Sequence, residues 1–222
     1  MLDPKALTEC LDKEEEALLG TISGKQLAID GKKVKGVSPG SKGNKGLWIL
    51  NAWVCENHLC IGQRKVNNKS NEITAIHKLL EELAMEGALV SIDAVGCQQA
   101  IARQIMRQQG DYLLSVKNNQ KDLLSQIKDS FSLHAKSLEL EGREDLCWKY
   151  QRGRYEERSC QILPARQRLL AEILEQWEGA KTLIKIEASR RTKKKTSRET
   201  RYYISSAEGQ PPKYFNRATR GN

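Results

Sequence analysis

The stretch Leu89-Val90-Ser91-Ile92-Asp93-Ala94 is a short apolar run that ends on an aspartate, and Leu27-Ala28-Ile29-Asp30-Gly31 shows the same pattern earlier in the chain. Short apolar runs are typical of buried strands in a parallel sheet. A carboxylate in such a run is costly unless it is paired or binds a metal. Two carboxylates at the carboxyl ends of adjacent strands could hold divalent metal ions, as in two-metal phosphoryl-transfer sites.

Each aspartate also has a simpler interpretation. An aspartate can end a strand or begin a turn without any chemical role, and Asp-Gly is a common turn pair. For Asp30 or Asp93 alone, that interpretation is the better one. The repeated Ile-Asp-small pattern in a basic chain favours the metal site.

Length, charge and cysteine content narrow the class of protein. A chain of 222 residues can bury one sizeable core, with an insertion or a small additional domain. Its 37 Lys and Arg against 28 Asp and Glu give a net charge of +9, which favours nucleic acid as the partner class. Six cysteines without a Cys-x-x-Cys pair, no long apolar stretch and no signal-peptide pattern predict a cytoplasmic protein without a membrane segment.

Strand and helix patterns alternate along the first half of the chain. Strands that alternate with helices imply parallel pairing, and an early hairpin implies an antiparallel part of the same sheet. We therefore predict an α/β fold with a ribonuclease-H-like mixed sheet, three antiparallel strands followed by parallel ones, with helices on both faces and a β-rich insertion. The predicted strands are 25–30, 47–54, 59–66, 88–93 and 112–116, and the predicted helices are 72–86, 97–109 and 121–134.

This order places Asp30 on the first strand and Asp93 on the strand after the first helix of the core, the two positions that carry acids in that fold. Four segments are predicted along the chain. They are an N-terminal helical segment (1–24), the first part of the catalytic core (25–134), a β-rich insertion region (135–206) and an atypical tail that we expect to be disordered (207–222).

A basic run lies between two strand-like segments of the second half. It contains Lys193, Lys194 and Lys195, with arginines on both sides. Such a run at a hairpin tip is usually only exposed to solvent. In a polyanion-binding protein, it can equally bind phosphates. The sequence leaves both interpretations open.

Several motifs occur in a fixed order over residues 2–206. Through them the chain resembles the H-repeat-associated (ISAs-type) transposases, within the larger group of DDE transposases. The motifs are Ala28-Ile29-Asp30-Gly31-Lys32, Lys69-Ser70-Asn71-Glu72-Ile73-Thr74-Ala75-Ile76, Ser91-Ile92-Asp93-Ala94-Val95-Gly96-Cys97-Gln98, Gly110-Asp111-Tyr112-Leu113-Leu114, Lys117-Asn118-Asn119-Gln120, Gly153-Arg154-Tyr155-Glu156 and Arg201-Tyr202-Tyr203-Ile204-Ser205-Ser206.

The resemblance implies transposition of an insertion-sequence element by Mg²⁺-dependent (or Mn²⁺-dependent) DNA cleavage and strand transfer. Asp30 and Asp93 match the first two catalytic acids and would hold the metal ions. One metal would activate a water or a 3′-hydroxyl, and the other would stabilise the departing oxygen. The implied partner is double-stranded DNA with the element's terminal repeats, bound by an oligomer of this chain in the bacterial nucleoid.

Further residues are candidates for DNA binding. Lys117 matches a Lys-x-Asn-Gln element, and we expect Lys117, Asn119 and Gln120 to contact DNA near the site. The alternative for Asn119 and Gln120 is a cap of the following helix. Arg152 stands where the family has a His before Gly-Arg, which keeps a cation but removes a titratable donor. The remaining candidates are Lys32, Arg154, Lys193, Lys194 and Lys195.

The third acid of the family is a Glu on a helix downstream of the Tyr-x-Ile-Ser-Ser strand. Here Glu208 is the only acid after that strand, and Gly209, Pro211 and Pro212 argue against a helix that could carry it. We therefore expect a C-terminally truncated chain with an incomplete site and impaired catalysis. The alternative function is a non-catalytic DNA-binding remnant of a transposase.

Two other functions fit less well. A nuclease or integrase-like enzyme with the same fold is disfavoured by the motif set. A nucleotide hydrolase is disfavoured because the glycines of 31–46 lack the spacing of a phosphate-binding loop.

Overall fold

The computed structural model of the chain describes residues 22–34, 47–66, 72–134, 144–151, 153–192 and 195–220. Nine strands form one sheet in the order β3-β2-β1-β4-β5-β9-β8-β7-β6. The strands are β1 (Gln26–Val34), β2 (Leu47–Val54), β3 (Leu59–Val66), β4 (Leu89–Ile92), β5 (Asp111–Val116), β6 (Glu144–Gln151), β7 (Arg154–Pro164), β8 (Thr182–Arg191) and β9 (Thr196–Ser205).

The sheet is mixed, as the sequence predicts. Strands β3, β2 and β1 pair antiparallel, whereas β1, β4 and β5 pair parallel. This is the ribonuclease-H-like arrangement. Strand β9 pairs antiparallel with β5, and β8, β7 and β6 follow it, so the β-rich segment extends the same sheet.

Helices cover both faces of the sheet, which confirms the predicted fold class. They are α1 (Glu72–Glu81), α2 (Gln99–Arg107), α3 (Lys121–His134), α4 (Ala171–Gln176) and α5 (Pro212–Ala218). Helices α1 to α4 pack into the larger core, which contains Leu27 and Ile29 of β1. Helix α5 packs on the other face, where Phe215 and Ala218 join a smaller core with Leu113 of β5.

Strand β1 is longer than predicted, and Asp30 lies in its middle instead of at its end. β1 pairs with β2 from Leu27 to Val34, so its backbone stays extended through Asp30 and Gly31. The pairing with β4 ends earlier, at Ile29. The Asp-Gly turn considered for this position is therefore absent, and Asp30 marks the point where one edge of β1 becomes open.

Helix α1 is shorter than predicted and ends at Glu81 instead of residue 86. In a continuing helix, the carbonyl of Leu80 would accept from the backbone N–H of residue 84. Here the backbone N–H of Leu83 donates to that carbonyl at 3.4 Å, in a 3₁₀-type bond, and the Nε2 of Gln108, at the end of α2, donates to it at 3.0 Å. The helix therefore ends in a tighter turn, and a tertiary hydrogen bond supplies the second donor to this carbonyl.

The tail differs from the expected disorder. Helix α5 begins at Pro212, where the missing N–H of proline costs nothing because the first turn has no partner for it. Phe215 and Ala218 lie one turn apart and are buried together. Proline therefore starts this helix instead of preventing it.

Some predictions fall outside the described residues. These are residues 1–21 of the N-terminal segment, residues 35–46 of the glycine-containing stretch 31–46, Arg152, Lys193 and Lys194. The four segment boundaries remain predictions. The five cysteines in the described part of the chain are free thiols. None of the helices described is long and apolar enough to cross a membrane.

Candidate active site at the carboxyl edge of the sheet

Asp30 and Asp93 lie side by side on adjacent parallel strands. The last pair in the register between β1 and β4 is Ile29 with Ile92, and Asp30 and Asp93 are the residues that directly follow it. Asp93 follows the end of β4 with an extended backbone (φ −68°, ψ −178°). The two aspartates therefore leave the same end of two strands that lie about 4.8 Å apart.

Both aspartates face the side of the sheet that carries α5. Side chains alternate along a strand, so Asp30 shares a face with Gln26, and Asp93 shares one with Ser91. The Nε2 of Gln26 donates to Ser91 Oγ and to the Ala218 carbonyl, each at 2.8 Å. The two aspartates are exposed on this face.

The opposite face of β1 explains the glycine after Asp30. The carboxylate of Glu72, in the first turn of α1, occupies the space where a side chain at Gly31 would stand, with Oε1 2.6 Å from an ideal Cβ. Glu72 is buried there, on the other side of the sheet from Asp30. A side chain at Gly31 would therefore require the Glu72 carboxylate to move, and Glu72 does not join the pair of aspartates.

A tight turn follows Asp93. Its Oδ1 accepts from the backbone N–H of Val95 at 3.1 Å and caps the 3₁₀ turn Ala94–Gly96. Gly96 packs directly on Ile92, and a Cβ at Gly96 would collide with that side chain. The turn thus fixes Oδ1, and Oδ2 forms no bond with any described residue.

Two of the predicted cations lie beside the carboxylates. Lys32 is two residues beyond Asp30 on the same strand face and is exposed. Lys117 follows β5 with an extended backbone, two residues beyond Ser115. Because Ile92 pairs with Leu114, Ser115 continues the register next to Asp93. Lys32 and Lys117 therefore border the aspartate pair on the α5 side.

Arg201 and Glu199 are neighbours of Lys117 that sequence reasoning missed. Val116 pairs with Tyr202, so Arg201 lies next to Lys117 across β5 and β9. Arg201 donates from Nε and Nη2 to the Glu199 carboxylate at 2.7 and 3.0 Å. This bond lowers the pKa of Glu199, with a smaller contribution from Lys117, and raises that of Arg201. Only the non-local β5–β9 pairing brings these residues together, so no local signal could have identified them.

A cleft of about 240 Å³ at the end of β5 is lined by Lys117, Glu199 and Arg201. Its wall also includes Lys128 of α3. The cleft therefore combines three cationic side chains with one carboxylate that is already paired with Arg201.

Asn119 and Gln120 contact the backbone of the turn after Asp93. The Nδ2 of Asn119 donates to the Ala94 carbonyl at 2.7 Å, and the Nε2 of Gln120 donates to the Cys97 carbonyl at 2.9 Å. Neither side chain caps the 3₁₀ turn in which it lies or the helix α3 that follows. The structure therefore connects them to Asp93 through the backbone.

The other predicted DNA-binding residues lie away from the pair. Arg154 is on β7, four strands from β4 and so about 19 Å across the sheet. Lys195 lies at the tip between β8 and β9, where Thr192 and Lys195 close the turn. Residues 196–201 of β9 extend about 20 Å beyond the end of β5. We call the described residues 186–192 and 195–201 the distal hairpin.

The donor set at the carboxyl edge suits a hard divalent cation. Asp30 and Asp93 supply carboxylate oxygens, the ligands that Mg²⁺ prefers. Neither forms an ion pair with any other described residue, so their charges are uncompensated there. Among the described residues, no three His, Cys, Asp or Glu side chains converge on one point. The described site therefore offers two carboxylates for a metal.

Comparison with known families identifies the chain. A family model described as "Transposase DDE domain" matches residues 23–219. The chain belongs to the DDE transposase family. This confirms the resemblance seen in the sequence motifs.

Two relatives of this chain are longer than it is. It is 36% identical to the "Uncharacterized protein in dhlA 3'region" of Xanthobacter autotrophicus, over 95% of this chain and 70% of that protein. YhhI of Escherichia coli (strain K12), named "H repeat-associated putative transposase", is 35% identical over 82% of this chain and 49% of its own length. The chain thus spans about half the length of this E. coli relative.

A solved structure is also similar to this chain. It is the cryo-EM structure of the piggyBac transposase synaptic complex with hairpin DNA, with a TM-score of 0.46 and 13% sequence identity. The likeness covers 99% of this chain and 46% of that one.

Two of the sequence motifs that carried the resemblance contact each other in the fold. Ser205 donates from Oγ to the Tyr112 carbonyl at 2.6 Å, and Ser206 donates to the Asp111 carboxylate at 2.7 Å. The Tyr-Tyr-Ile-Ser-Ser motif therefore joins β9 to β5, so these serines have a structural role.

Proposed function

We propose that this chain carries the catalytic face of an insertion-sequence transposase and acts on double-stranded DNA with the element's terminal repeats. The observation that carries the proposal is the exposed Asp30–Asp93 pair, in register on adjacent parallel strands of a transposase DDE domain. The same proposal includes two further points. Several copies of this chain would assemble on the DNA, and the protein would be located at the bacterial nucleoid.

The residues around the pair have distinct roles in this proposal. Asp30 and Asp93 would hold Mg²⁺ or Mn²⁺, which supplies Lewis-acid activation and charge neutralisation at a phosphate. Lys32 and Lys117, on either side of the pair, would bind the oxygens of the DNA backbone. Arg201 would also bind a phosphate oxygen, through the guanidinium N–H groups that do not donate to Glu199.

The proposed activity of this chain by itself is weak. The described residues supply two carboxylates at the site, and a two-metal site needs enough ligands to hold both ions in a fixed geometry. We therefore propose that this chain binds DNA but cleaves it poorly.

The distal hairpin supports DNA as the partner. Between residues 189 and 201 the sequence has seven Lys and Arg against one Glu. Since β9 runs antiparallel to β5, this hairpin extends in the direction in which β5 ends, beyond Lys117. A duplex that reaches the aspartate pair would thus meet a strongly positive projection, whose attraction for phosphates is long-ranged.

The proposal is tested with duplex DNA that carries the terminal repeats, with and without Mg²⁺ or Mn²⁺. We expect metal-independent binding that weakens steeply with salt, and little cleavage. Robust cleavage that Asp30→Ala abolishes would confirm the site and overturn the claim of impaired catalysis. Absence of binding at low salt would overturn DNA as the partner.

Removing three charges from the basic run 193–195 is expected to reduce the salt dependence of binding. The variant Lys193→Gln, Lys194→Gln, Lys195→Gln should lower the slope of log Kd against log salt by about 0.9 for each DNA phosphate that the variant no longer neutralises. Fluorescence anisotropy with a labelled duplex at several salt concentrations measures this slope.

A matched control removes three exposed cations elsewhere, at Lys65, Lys78 and Arg107. We expect this variant to retain the slope of the wild-type chain. Equal slopes for both triple variants would mean that the basic run is solvated and contacts no DNA phosphate, which is one of the two interpretations that the sequence leaves open.

A second candidate function is a DNA-binding remnant without catalysis. The separation between the distal hairpin and the aspartate pair favours it, because the basic surface does not depend on Asp30 or Asp93 for its structure. It predicts duplex binding that survives loss of both aspartates.

A further inference from the structure

We infer that Asn119 and Gln120 are positioning residues that hold Asp93 in place, instead of contacts to DNA. The inference rests on the proposed function of Asp93 as a metal ligand. It assigns to the Lys-x-Asn-Gln element a role within the catalytic edge that no sequence motif shows.

Three hydrogen bonds surround the turn that Asp93 begins. Asn119 donates from Nδ2 to Ala94 at 2.7 Å and, more weakly, to Cys97 at 3.4 Å. Gln120 donates from Nε2 to Cys97 at 2.9 Å. Ala94 directly follows Asp93, and Cys97 ends the turn. The two amides therefore hold both ends of the turn at once.

The other restraints on the turn come from residues 92–98 themselves. Its backbone bonds are of the 3₁₀ type, from Gly96 to the Asp93 carbonyl at 3.1 Å and from Cys97 to the Ala94 carbonyl at 3.3 Å. Such bonds have poorer geometry than those of an α-helix. Local side chains add the bond from Val95 to Asp93 Oδ1 and one from Gln98 Nε2 to the Val95 carbonyl at 3.3 Å. The amides of Asn119 and Gln120 thus add restraints that come from the neighbouring strand instead of from the turn itself.

The amides also connect Asp93 to a rigid part of the fold. Asn119 and Gln120 follow β5, whose residues Tyr112 to Val116 are buried. Since β5 is the parallel neighbour of β4, the bonds tie the turn after one strand to the turn after the next. The position of Asp93 relative to Asp30 then depends on these amides, as metal ligands depend on the groups that orient them.

This geometry disfavours the DNA contact predicted from the sequence. An amide side chain that binds a phosphate does so through its N–H groups, of which each amide nitrogen has two. The Asn119 nitrogen donates to two carbonyls, those of Ala94 and Cys97, and the Gln120 nitrogen uses one of its two N–H groups for Cys97. Losing the amides should therefore affect the turn and the metal, and not the affinity for DNA.

The test compares the double variant Asn119→Ala, Gln120→Ala with Asn118→Ala. Asn118 lies in the same 3₁₀ turn, is exposed and forms no hydrogen bond with the described residues. In the double variant, we expect amide hydrogen exchange over residues 95–98 to rise by about tenfold or more, because local opening becomes easier. Mn²⁺ affinity, measured by calorimetry, should fall by about 10- to 100-fold. Asn118→Ala should change neither.

A single substitution tests whether the increased exchange comes from the turn alone and not from destabilisation of the whole fold. Gln120→Glu keeps the shape of the side chain but replaces its donor by an acceptor, which cannot bond the Cys97 carbonyl when ionised. It should increase exchange in the same residues while the melting temperature stays near that of the wild type.

The outcomes separate the two claims. Unchanged exchange in the turn, or a loss of duplex affinity without a loss of Mn²⁺ affinity, would overturn the positioning role. If exchange rises but even the wild-type chain binds no Mn²⁺, the hydrogen-bonding role stands and the proposed metal function fails.

Discussion

The double variant Asp30→Asn, Asp93→Asn is expected to weaken Mn²⁺ binding by more than about 100-fold, the upper range for loss of a group that merely orients a ligand. The substitution keeps the size of both side chains but removes the two charges that attract the ion. Because both residues are exposed, the fold should be unaffected. Isothermal titration with Mn²⁺, alongside circular dichroism, measures both quantities.

A control at equal charge uses Asp122→Asn, Asp129→Asn, two exposed aspartates of α3. This variant should bind Mn²⁺ like the wild type. Mn²⁺ binding that is equally tight in both double variants would show that the aspartate pair is not the metal site. Duplex affinity should be retained, or slightly increased, when Asp30 and Asp93 lose their charge.

Phe215→Ala is expected to lower the free energy of unfolding by about 3–5 kcal/mol, the usual cost of removing a buried aromatic ring. Phe215 is completely buried, in the core that α5 forms with β5, β8 and β9. The variant therefore measures whether the tail is a packed helix. Urea denaturation followed by circular dichroism gives the free energy.

Two further variants make this measurement specific. Phe215→Leu preserves most of the apolar volume and should cost less than about 1.5 kcal/mol. Lys213→Ala changes an exposed position of the same helix and should stay within about 0.5 kcal/mol. A cost below about 1 kcal/mol for Phe215→Ala would instead support the disordered tail expected from the sequence.

Helix α5 matters for function because it lies on the face of the aspartate pair. Buried Arg158 of β7 anchors its end by donating to Asn216 Oδ1 at 2.9 Å and to the Thr219 carbonyl at 3.2 Å. The last turn of the helix also accepts the bond from Gln26, four residues before Asp30. Loss of α5 packing should therefore disturb the strand that carries Asp30.

Much of the core could be predicted from local patterns. Apolar runs and helical spacing identify the strands and helices of residues 26–134, and the alternation of the two predicts parallel pairing. The adjacency of Asp30 and Asp93 follows from that order alone, because each lies on one of two neighbouring strands. The register between Ile29 and Ile92 agrees with this expectation.

The errors arose where a distant residue decides the local structure. Strand β1 continues past Asp30 because β2 pairs with it, and α1 ends early where the Leu80 carbonyl accepts from Leu83 and from the distant Gln108. Pro211 and Pro212 suggested a disordered tail, yet burial of Phe215 stabilises a short helix there. Local propensity is a weak signal when tertiary contacts of this kind compete with it.

The sequence by itself determined the mixed α/β order, the family and the two aspartates on neighbouring strands. Only the tertiary structure decided which face the pair occupies, that Lys117 lies beside Arg201, and that Asn119 and Gln120 bind the turn after Asp93. The physical reason is that side-chain periodicity is local, whereas strand order and register depend on contacts between residues far apart in the chain. The two aspartates could be found from their strands, but the residues that position them could be found only from the folded sheet.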